Sequence, residues 1–342
     1  MEIVVFENEF GFVLDCSLVD NVSEYVLKDP YIVSSRKGDG FGMLCELYAD
    51  KLDALKLAYD ELVTKPGVLF SQRKSKLHSI YDLDLVAAGN LASITFGSIP
   101  TISHLDLEGR SICVELFDLF NTLYTNGSEL QVILHCSDFQ IIVPPMARFI
   151  LTDYSMLRSI LTECYIQNSI ALDVLLIDFP WGNKSARRSS NYGFLDYSTL
   201  LRLPVDKMLH DGSIVALWVT NNAKIHSFVK NRLFPCWRVS FAAIWIWVKV
   251  TSQGIPVIPM DHAQRKPFEC LIIGQRNAAA IPSKAIVSVP CSHSKKPFVH
   301  SLLASHADVV TGQKMELFAR QMTRGWTSWG NEAIKFDLIK NH

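Results

Sequence analysis

The hydrophobic pattern of the chain changes near residue 145, so the chain is predicted to have two parts. Before that position, short apolar runs accompany two helix-like patterns, over residues 50–63 and 108–123, in which apolar side chains recur every three or four residues. We therefore predict a mixed α+β accessory domain over residues 1–145, with nucleic-acid binding as one role for it. Pro144 and Pro145 mark its end.

From residue 146 to residue 342, short apolar runs alternate with amphipathic segments. Helices are predicted over 155–164, 222–233 and 297–305, with Pro297 in the first turn of the third. Near-continuous apolar strands between amphipathic helices are typical of an α/β fold with a mostly parallel sheet covered on both faces. The predicted strands are residues 148–151, 174–177, 213–219, 239–248, 270–274, 285–289 and 315–319.

The four residues Asp178, Phe179, Pro180 and Trp181 directly follow one of these strands. They therefore lie at a carboxyl end, the edge at which open α/β sheets bind ligands. The Asp178 carboxylate and the Phe179 carbonyl can accept the two N–H groups of an adenine amine, Trp181 can stack on the base, and Pro180 stiffens the turn. The pattern suits methyl transfer to adenine; a simple turn with Trp181 in the core is the alternative.

Composition is that of an ordinary globular protein, with 49% hydrophobic residues and a net charge of −1. Nucleic-acid binding would therefore depend on local basic patches. No apolar run approaches the ~20 residues of a membrane span, and the first residues do not resemble a secretory signal. Eight cysteines without Cys-x-x-Cys spacing indicate neither zinc nor disulfides, and no metal site is expected. A reducing compartment is expected, the nucleus, with the cytoplasm as a second location.

Further sequence blocks, in order along residues 140–337, carry a resemblance to a known family. They are Asn183-Lys184-Ser185, Trp218-Val219-Thr220-Asn221, Lys266-Pro267-Phe268-Glu269, Lys296-Pro297, Glu316-Leu317-Phe318-Ala319-Arg320 and Gly325-Trp326-Thr327-Ser328-Trp329-Gly330-Asn331-Glu332. Together with residues 178–181, they make the chain similar to the eukaryotic N6-adenine methyltransferases, whose tetrad is Asp-Pro-Pro-Trp. Within that family the sequence resembles the methyltransferase-like protein 4 branch.

The resemblance implies a Rossmann-like fold that uses S-adenosylmethionine, with a permuted motif order that places the donor-binding strand near the C-terminus. It implies catalytic roles for residues 178–181, with Asp178 orienting the adenine amine. Lys296 is expected to reach the methionine carboxylate, and Phe318 and Arg320 to lie beside the ribose. A solvated Lys296 and a core Phe318 are the alternatives. The implied cofactor-binding residues are Asp153, Tyr154, Asp178, Lys296, Phe318, Arg320, Asn331 and Glu332.

The implied substrate is adenine in a nucleic acid, which must be single-stranded or flipped out of its stack to react. The basic and aromatic run that follows the tetrad is expected to contact phosphates and stack on bases. The resemblance links this branch to adenosine in small nuclear RNA, including 2′-O-methyladenosine, and to adenine in DNA; the choice stays open, as does a protein partner. The expected substrate-binding residues are Asn183, Lys184, Arg187, Arg188, Tyr192 and Phe194.

Phe179 is a departure from the family tetrad, because it stands where the first proline is expected. The change removes a fixed backbone φ angle and adds an N–H group. It leaves open a second hypothesis, a nucleic-acid-binding member of the family with little or no turnover. A third, methylation of a protein amide, is opposed by the leading Asp178 and by the C-terminal blocks.

Overall fold

The computed structural model describes residues 11–13, 103–136, 139–181, 196–251, 254–260, 262, 265–277, 280–290 and 295–340. The helix predicted over residues 50–63 lies outside this described part. Within it, no helix is long and apolar enough to cross a membrane, and no three side chains are grouped as a metal site would require.

Fifteen strands are found in the described residues. They are β1 Gly11–Val13, β2 Ser103–Asp106, β3 Ile112–Cys113, β4 Thr122–Thr125, β5 Val132–Cys136, β6 Phe139–Val143, β7 Arg148–Leu151, β8 Leu172–Ile177, β9 Leu209–Val219, β10 Ser240–Lys249, β11 Phe268–Gln275, β12 Lys284–Ser288, β13 Lys314–Leu317, β14 Thr327–Gly330 and β15 Leu338–Lys340.

The helices are short and lie between the strands. The α-helices are α1 Tyr154–Leu161, α2 Ala223–Phe228, α3 Phe234–Cys236 and α4 His300–Ala304. Wider π-helical turns follow α1 and α2, at Thr162–Ile166 and Val229–Leu233. Three 3-10 turns lie at Phe117–Leu119, Tyr197–Arg202 and Val205–Lys207.

Eleven strands form one sheet in the order β1-β12-β10-β11-β9-β8-β13-β14-β7-β4-β2. Its neighbours are parallel except for β10 with β11, β11 with β9, and β4 with β7. The predicted α/β fold with a mostly parallel sheet is confirmed. The strand β13 lies in the middle of the sheet although it comes late in the chain. The permuted motif order stays a prediction, because it concerns which strand binds the methyl donor.

The central strands are apolar because both of their faces are covered. Every residue of β8 is buried. Leu175 and Ile177 belong to the core on one face, whereas Val174 and Leu176 belong to the core on the other. This two-sided burial is the reason that β8 reads as a continuous apolar run rather than an alternating one.

The helix predicted over residues 108–123 is wrong. These residues form β3, a 3-10 turn and the start of β4. Glu108, Gly109 and Asn121 have positive φ angles, which a right-handed helix does not permit. Pairing of β3 with β5 and of β4 with β7 therefore replaces the local helical preference.

The other elements predicted within the described residues are present, most of them with shifted ends. The third predicted helix begins at His300 rather than Pro297, so Pro297 is not in its first turn. Lys296 forms ion pairs with Asp178 and Glu269 at the sheet edge, and residues 295–299 are not helical. The last predicted strand ends at Leu317, because Phe318 leaves the extended conformation with a φ angle of 60°.

The division at residue 145 stays a prediction, but strand pairing connects the two sides of it. In the main sheet, β4 pairs with β7. A smaller sheet, in the order β15-β6-β5-β3, pairs β6 with the C-terminal β15. The buried cluster beneath this smaller sheet includes Ala319, Met322 and Ile334. Residues of the segment 103–143 thus support the loops that follow β13 and β14.

The Asp173 carboxylate fixes the loop that leads into β13. This side chain is buried and accepts hydrogen bonds from the backbone N–H groups of Val310 at 3.2 Å, Thr311 at 2.9 Å and Gly312 at 2.7 Å, and from His210 Nε2 at 2.9 Å. Burial alone would raise the pKa of Asp173, but these hydrogen bonds outweigh it and hold the pKa below its ordinary value of 3.8.

We expect Asp173→Asn to lower the free energy of unfolding at pH 7 by about 1–3 kcal/mol, because the amide cannot accept all of these bonds. A depressed carboxyl pKa stabilises the fold above the ordinary pKa, and the contribution is lost as pH falls through the folded value. The difference between variant and native protein should therefore shrink below about pH 4. Urea unfolding at pH 7 and pH 3 measures it. Asp118→Asn, at an exposed position, is the control; an equal loss in both variants would contradict the expectation.

Candidate active site

The carboxyl ends of β8 and β13 lie side by side at one edge of the sheet. Ile177 is in register with Leu317, and the Asp178 N–H donates to the Leu317 carbonyl at 3.1 Å. The residues that follow the two strands, Asp178 on one and Phe318 on the other, therefore start from neighbouring positions. This is the edge at which parallel sheets hold their ligands.

Asp178 lies between two cations that come from different parts of the chain. Its Oδ1 is 3.2 Å from Lys296 Nζ, and its Oδ2 is 3.0 Å from Arg320 Nη1. Lys296 also contacts Glu269 Oε2 at 3.2 Å, and Arg320 Nε contacts Glu332 Oε2 at 3.2 Å. The signs of the charges alternate, so Lys296, Asp178 and Arg320 each have an opposite charge on both sides.

Two more lysines close this alternating row at its ends. Lys249 Nζ donates to Glu269, and Lys335 Nζ donates to Glu332. Lys249 and Glu269 lie on the adjacent strands β10 and β11. The row of seven charges, Lys249, Glu269, Lys296, Asp178, Arg320, Glu332 and Lys335, crosses the sheet edge, and we call it the charge row.

The charge row fixes protonation states inside a partly buried site. Burial alone would lower the pKa of Lys296, but the carboxylates of Asp178 and Glu269 outweigh it and raise this pKa above its ordinary value. Burial alone would raise the pKa of Glu269, but Lys296 and Lys249 lower it from 4.5 to about 2. At neutral pH, Lys296 is therefore cationic and Glu269 is anionic.

The aromatic residues of the tetrad are anchored in the core. The Trp181 indole N–H donates to the Trp218 carbonyl at 2.6 Å. The Phe179 ring is 2% exposed and packs edge-on against Trp181, with a centroid distance of 5.0 Å, and against Phe318, at 5.2 Å. Phe179 thus gives the turn a hydrophobic anchor in place of the fixed φ of a proline.

The Phe179 carbonyl, predicted as an acceptor for the adenine amine, already accepts the Trp181 backbone N–H at 2.8 Å. A carbonyl oxygen has two lone pairs, so one remains. The role of this carbonyl toward adenine therefore stays a prediction that depends on the second lone pair. The roles of Pro180 in stiffening the turn and of the Trp181 face in stacking on the base also stay predictions.

The turn after β13 is strained and tightly packed. Phe318 has a φ angle of 60°, unusual for an aromatic residue. A side chain at Gly330 would meet the Ala319 carbonyl at 3.1 Å and Phe318 Cα at 3.3 Å, so only glycine fits there without a shift. Strained backbone of this kind concentrates at ligand sites. Tyr154 stacks on the Phe318 ring at 5.7 Å, so Phe318 is both a core residue and part of this turn.

The remaining residues predicted to bind the cofactor come from neighbouring strand ends. Asp153 caps α1, accepting the Ser155 N–H at 2.9 Å. Asn331 and Glu332 directly follow β14, with Asn331 half-buried. Burial raises the pKa of Tyr154, although a hydrogen bond with Thr199 acts in the other direction.

A cleft lies beside the charge row, on the face of the sheet that carries Leu176. Of the predicted cofactor-binding residues, Asp178, Lys296 and Arg320 line it. The structure adds to this region four residues for which the sequence predicts no role: Glu269, Trp218, His300 and Glu316. Among those that line the cleft are Asp178, Trp218, Lys296, His300, Glu316 and Arg320.

The predicted nucleic-acid contacts fall outside the described residues. They remain predictions from sequence: Asn183, Lys184, Arg187, Arg188, Tyr192 and Phe194.

Comparison with known families matches residues 172–332 to the MT-A70 family. These residues include β8 with Asp178 and β13 with Arg320, and end at Glu332. The family resemblance predicted from the sequence blocks is confirmed.

Relatives of the chain carry related names. It is 35% identical over 258 residues to the mouse (Mus musculus) protein named N(6)-adenine-specific methyltransferase METTL4, covering 70% of this chain and 54% of that protein. It is 34% identical over 176 residues to the N6-methyladenosine RNA methyltransferase MTA1 of Cryphonectria parasitica (48% and 52%). It is 29% identical over 220 residues to a DNA N6-methyl methyltransferase of Caenorhabditis elegans (62% and 58%). The chain spans little more than half the length of these three relatives.

The four residues that the structure adds to the site differ in how far the sequence pointed to them. Glu269, Trp218 and Glu316 lie within the sequence blocks that carried the resemblance, so their positions were marked although their contacts were not. His300 belongs to no block. Its place beside Glu316 follows from α4 packing against the sheet, which no local pattern encodes.

We expect Phe179→Pro to restore the family tetrad and to destabilise this protein by about 2–4 kcal/mol, because the buried ring is lost. Phe179→Leu is the matched control and should cost less, since it keeps an apolar group of similar volume. Thermal and urea unfolding compare the variants. A Phe179→Pro protein as stable as the native chain would show that the ring does not anchor the turn.

Proposed function

We propose that this protein transfers the methyl group of S-adenosylmethionine to the exocyclic N6 amine of adenine in a nucleic acid. The observation that carries the proposal is the Asp178 carboxylate, held at the carboxyl edge of the sheet by Lys296 and Arg320. The match of residues 172–332 to the MT-A70 family and the names of the relatives support it.

Asp178 retains hydrogen-bond acceptor positions that the reaction needs. An ionised carboxylate offers about four acceptor positions, and its two ion pairs occupy two of them. The others can accept an N–H of the adenine amine, orient the nitrogen, and stabilise the positive charge that develops on it. Because Lys296 and Arg320 fix both oxygens, the carboxylate needs little reorganisation as that charge appears.

The residues around the cleft fit a methyl donor of this kind. S-adenosylmethionine, when bound, supplies a methyl group already activated by a sulfonium centre, so the protein contributes mainly position and exclusion of water. Lys296 is a charged ammonium on the cleft wall, suited to the carboxylate of the donor's amino acid. Arg320 and Glu332, paired at 3.2 Å, follow β13 and β14 and suit the hydroxyls of its ribose.

The substrate is adenine in RNA or in DNA, since relatives named for each are found. The predicted basic and aromatic residues 183–194 are the proposed contacts for the strand. The nucleus is the proposed location. Binding without transfer, the alternative raised by Phe179, is an outcome of the first experiment below.

We expect Asp178→Asn to lower the rate of methyl transfer about 100-fold, because the amide cannot stabilise developing positive charge as a carboxylate does. Transfer of labelled methyl from the donor to adenine oligonucleotides measures the rate, and titration of the donor separates loss of binding from loss of chemistry. Asp118→Asn is the control. Transfer by native protein and Asp178→Asn at equal rates contradicts the proposed role. Binding of oligonucleotide and donor with no transfer by native protein supports the non-catalytic alternative.

The same assay decides the type of nucleic acid. Oligonucleotides of one sequence are supplied as RNA, as RNA with a 2′-O-methyl group on the target adenosine, and as single-stranded DNA. We expect N6-methyladenine in at least one of them, measured by mass spectrometry of nucleosides. Methyl groups found only on protein would instead support amide methylation.

A further inference from the structure

Tyr197 is an exposed aromatic residue directly beside the tetrad. It is 37% exposed, whereas the other tyrosines among the described residues are buried or half-buried. Its ring centroid lies 6.3 Å from that of Trp181, and the two rings are tilted by 46°. Because Trp181 itself is only 7% exposed, Tyr197 continues the aromatic surface of the tetrad outward into solvent.

The Tyr197 ring is held in place by its own turn and by α2. It begins the 3-10 turn Tyr197–Arg202, and the Asp196 carboxylate caps this turn by accepting from the Ser198 N–H at 3.0 Å and from the Ser198 hydroxyl at 2.8 Å. The ring also packs edge-on against Phe228 of α2, with a centroid distance of 4.7 Å. A ring fixed in this way loses little conformational entropy when a ligand stacks on it.

The surface around Tyr197 is basic. Lys224 and Phe228 are four residues apart on α2, so they share the side of the helix on which Tyr197 packs, and Lys224 is exposed. Arg202, also exposed, ends the turn that Tyr197 begins, and its charge acts on the Asp196 carboxylate. No aspartate or glutamate occurs from residue 212 to residue 260, the segment that contains α2. An exposed aromatic ring thus lies among cations.

A single-stranded nucleic acid has the chemistry that this surface fits. Every base has a flat π face that can stack on an aromatic ring, and every phosphate is an anion that a lysine or arginine can contact. When the target adenine leaves its stack to enter the site, the base next to it loses a stacking partner. Tyr197 lies one ring beyond Trp181 and can take the place of that partner.

We propose that Tyr197 stacks on the base next to the target adenine and that Lys224 contacts a phosphate of the same segment of the strand. This rests on the proposed function, because it adds a subsite for the nucleic acid of that reaction. It also predicts a preference for sequence context. A purine beside the target is favoured over a pyrimidine, because the larger base stacks more strongly.

The test measures binding of single-stranded oligonucleotides, as RNA and as DNA, by fluorescence anisotropy. One strand has a single adenine between two guanines; in two others, an abasic unit replaces the guanine on the 5′ or the 3′ side. We expect native protein to bind one of the abasic strands about 10-fold more weakly than the intact strand. Tyr197→Ala should bind the intact strand about 10-fold more weakly and should no longer distinguish it from that abasic strand.

Two variants control for the loss of the ring. Tyr197→Phe keeps the stacking surface and should bind all strands as native protein does. Phe117→Ala removes a ring that is 49% exposed on another 3-10 turn and should also bind as native protein does. A merely structural role of Tyr197 would weaken the intact and the abasic strands equally, and that result overturns the inference.

Lys224→Gln tests the phosphate contact. Losing one such contact should reduce the slope of log Kd against log salt concentration by about one, because one counterion fewer is released on binding. The reduction should be the same for intact and abasic strands, since both keep the phosphate. Lys207→Gln, at an exposed position on a different turn, is the matched control. An unchanged slope in Lys224→Gln overturns the role of Lys224.

The results separate this inference from the proposed function. Equal binding of the intact strand by native protein and by Tyr197→Ala overturns the inference and leaves methyl transfer to a nucleic acid standing. If native protein binds none of the strands, the nucleic-acid substrate of the proposed function fails, and the inference falls with it.

Discussion

The site depends on the ion pairs that Asp178 makes with Lys296 and Arg320 at the carboxyl edge of the sheet. The three residues come from three segments of the chain: Asp178 follows β8, Lys296 precedes α4 and Arg320 follows β13. The Asp178 side chain is buried, so its charge would be costly without partners, and removing either cation would leave a poorly solvated charge. The contacts therefore hold three segments together and at the same time place an ionised acceptor at the site.

The charge row also explains how one edge can present both signs of charge. Opposite neighbours stabilise the charged forms of Lys296 and Glu269, since the pKa of Lys296 is raised and the pKa of Glu269 is lowered. Next to the charge row, the hydrogen-bonded side chains of Glu316 and His300 extend the polar surface along β13 toward the core.

Packing gives the same edge its shape. Phe179 fills the space between Trp181 and Phe318, so the turn after β8 is held by aromatic contacts. The close approach of Gly330 to Ala319 keeps the turns after β13 and β14 together. The smaller sheet supports these turns from below through Ala319 and Ile334. The N-terminal part of the described chain thus contributes to the site although it supplies none of its charged groups.

The sequence by itself determined the α/β class, the strands on either side of the site and the family, because continuous apolar runs and ordered motif blocks are local signals. It marked Asp178, Lys296 and Arg320 individually. It failed at residues 108–123, where strand partners distant in sequence overrode helical spacing, and it gave no sign of His300. Which charges pair was decided only by the tertiary structure, since sheet order brings together side chains that are more than one hundred residues apart in the chain.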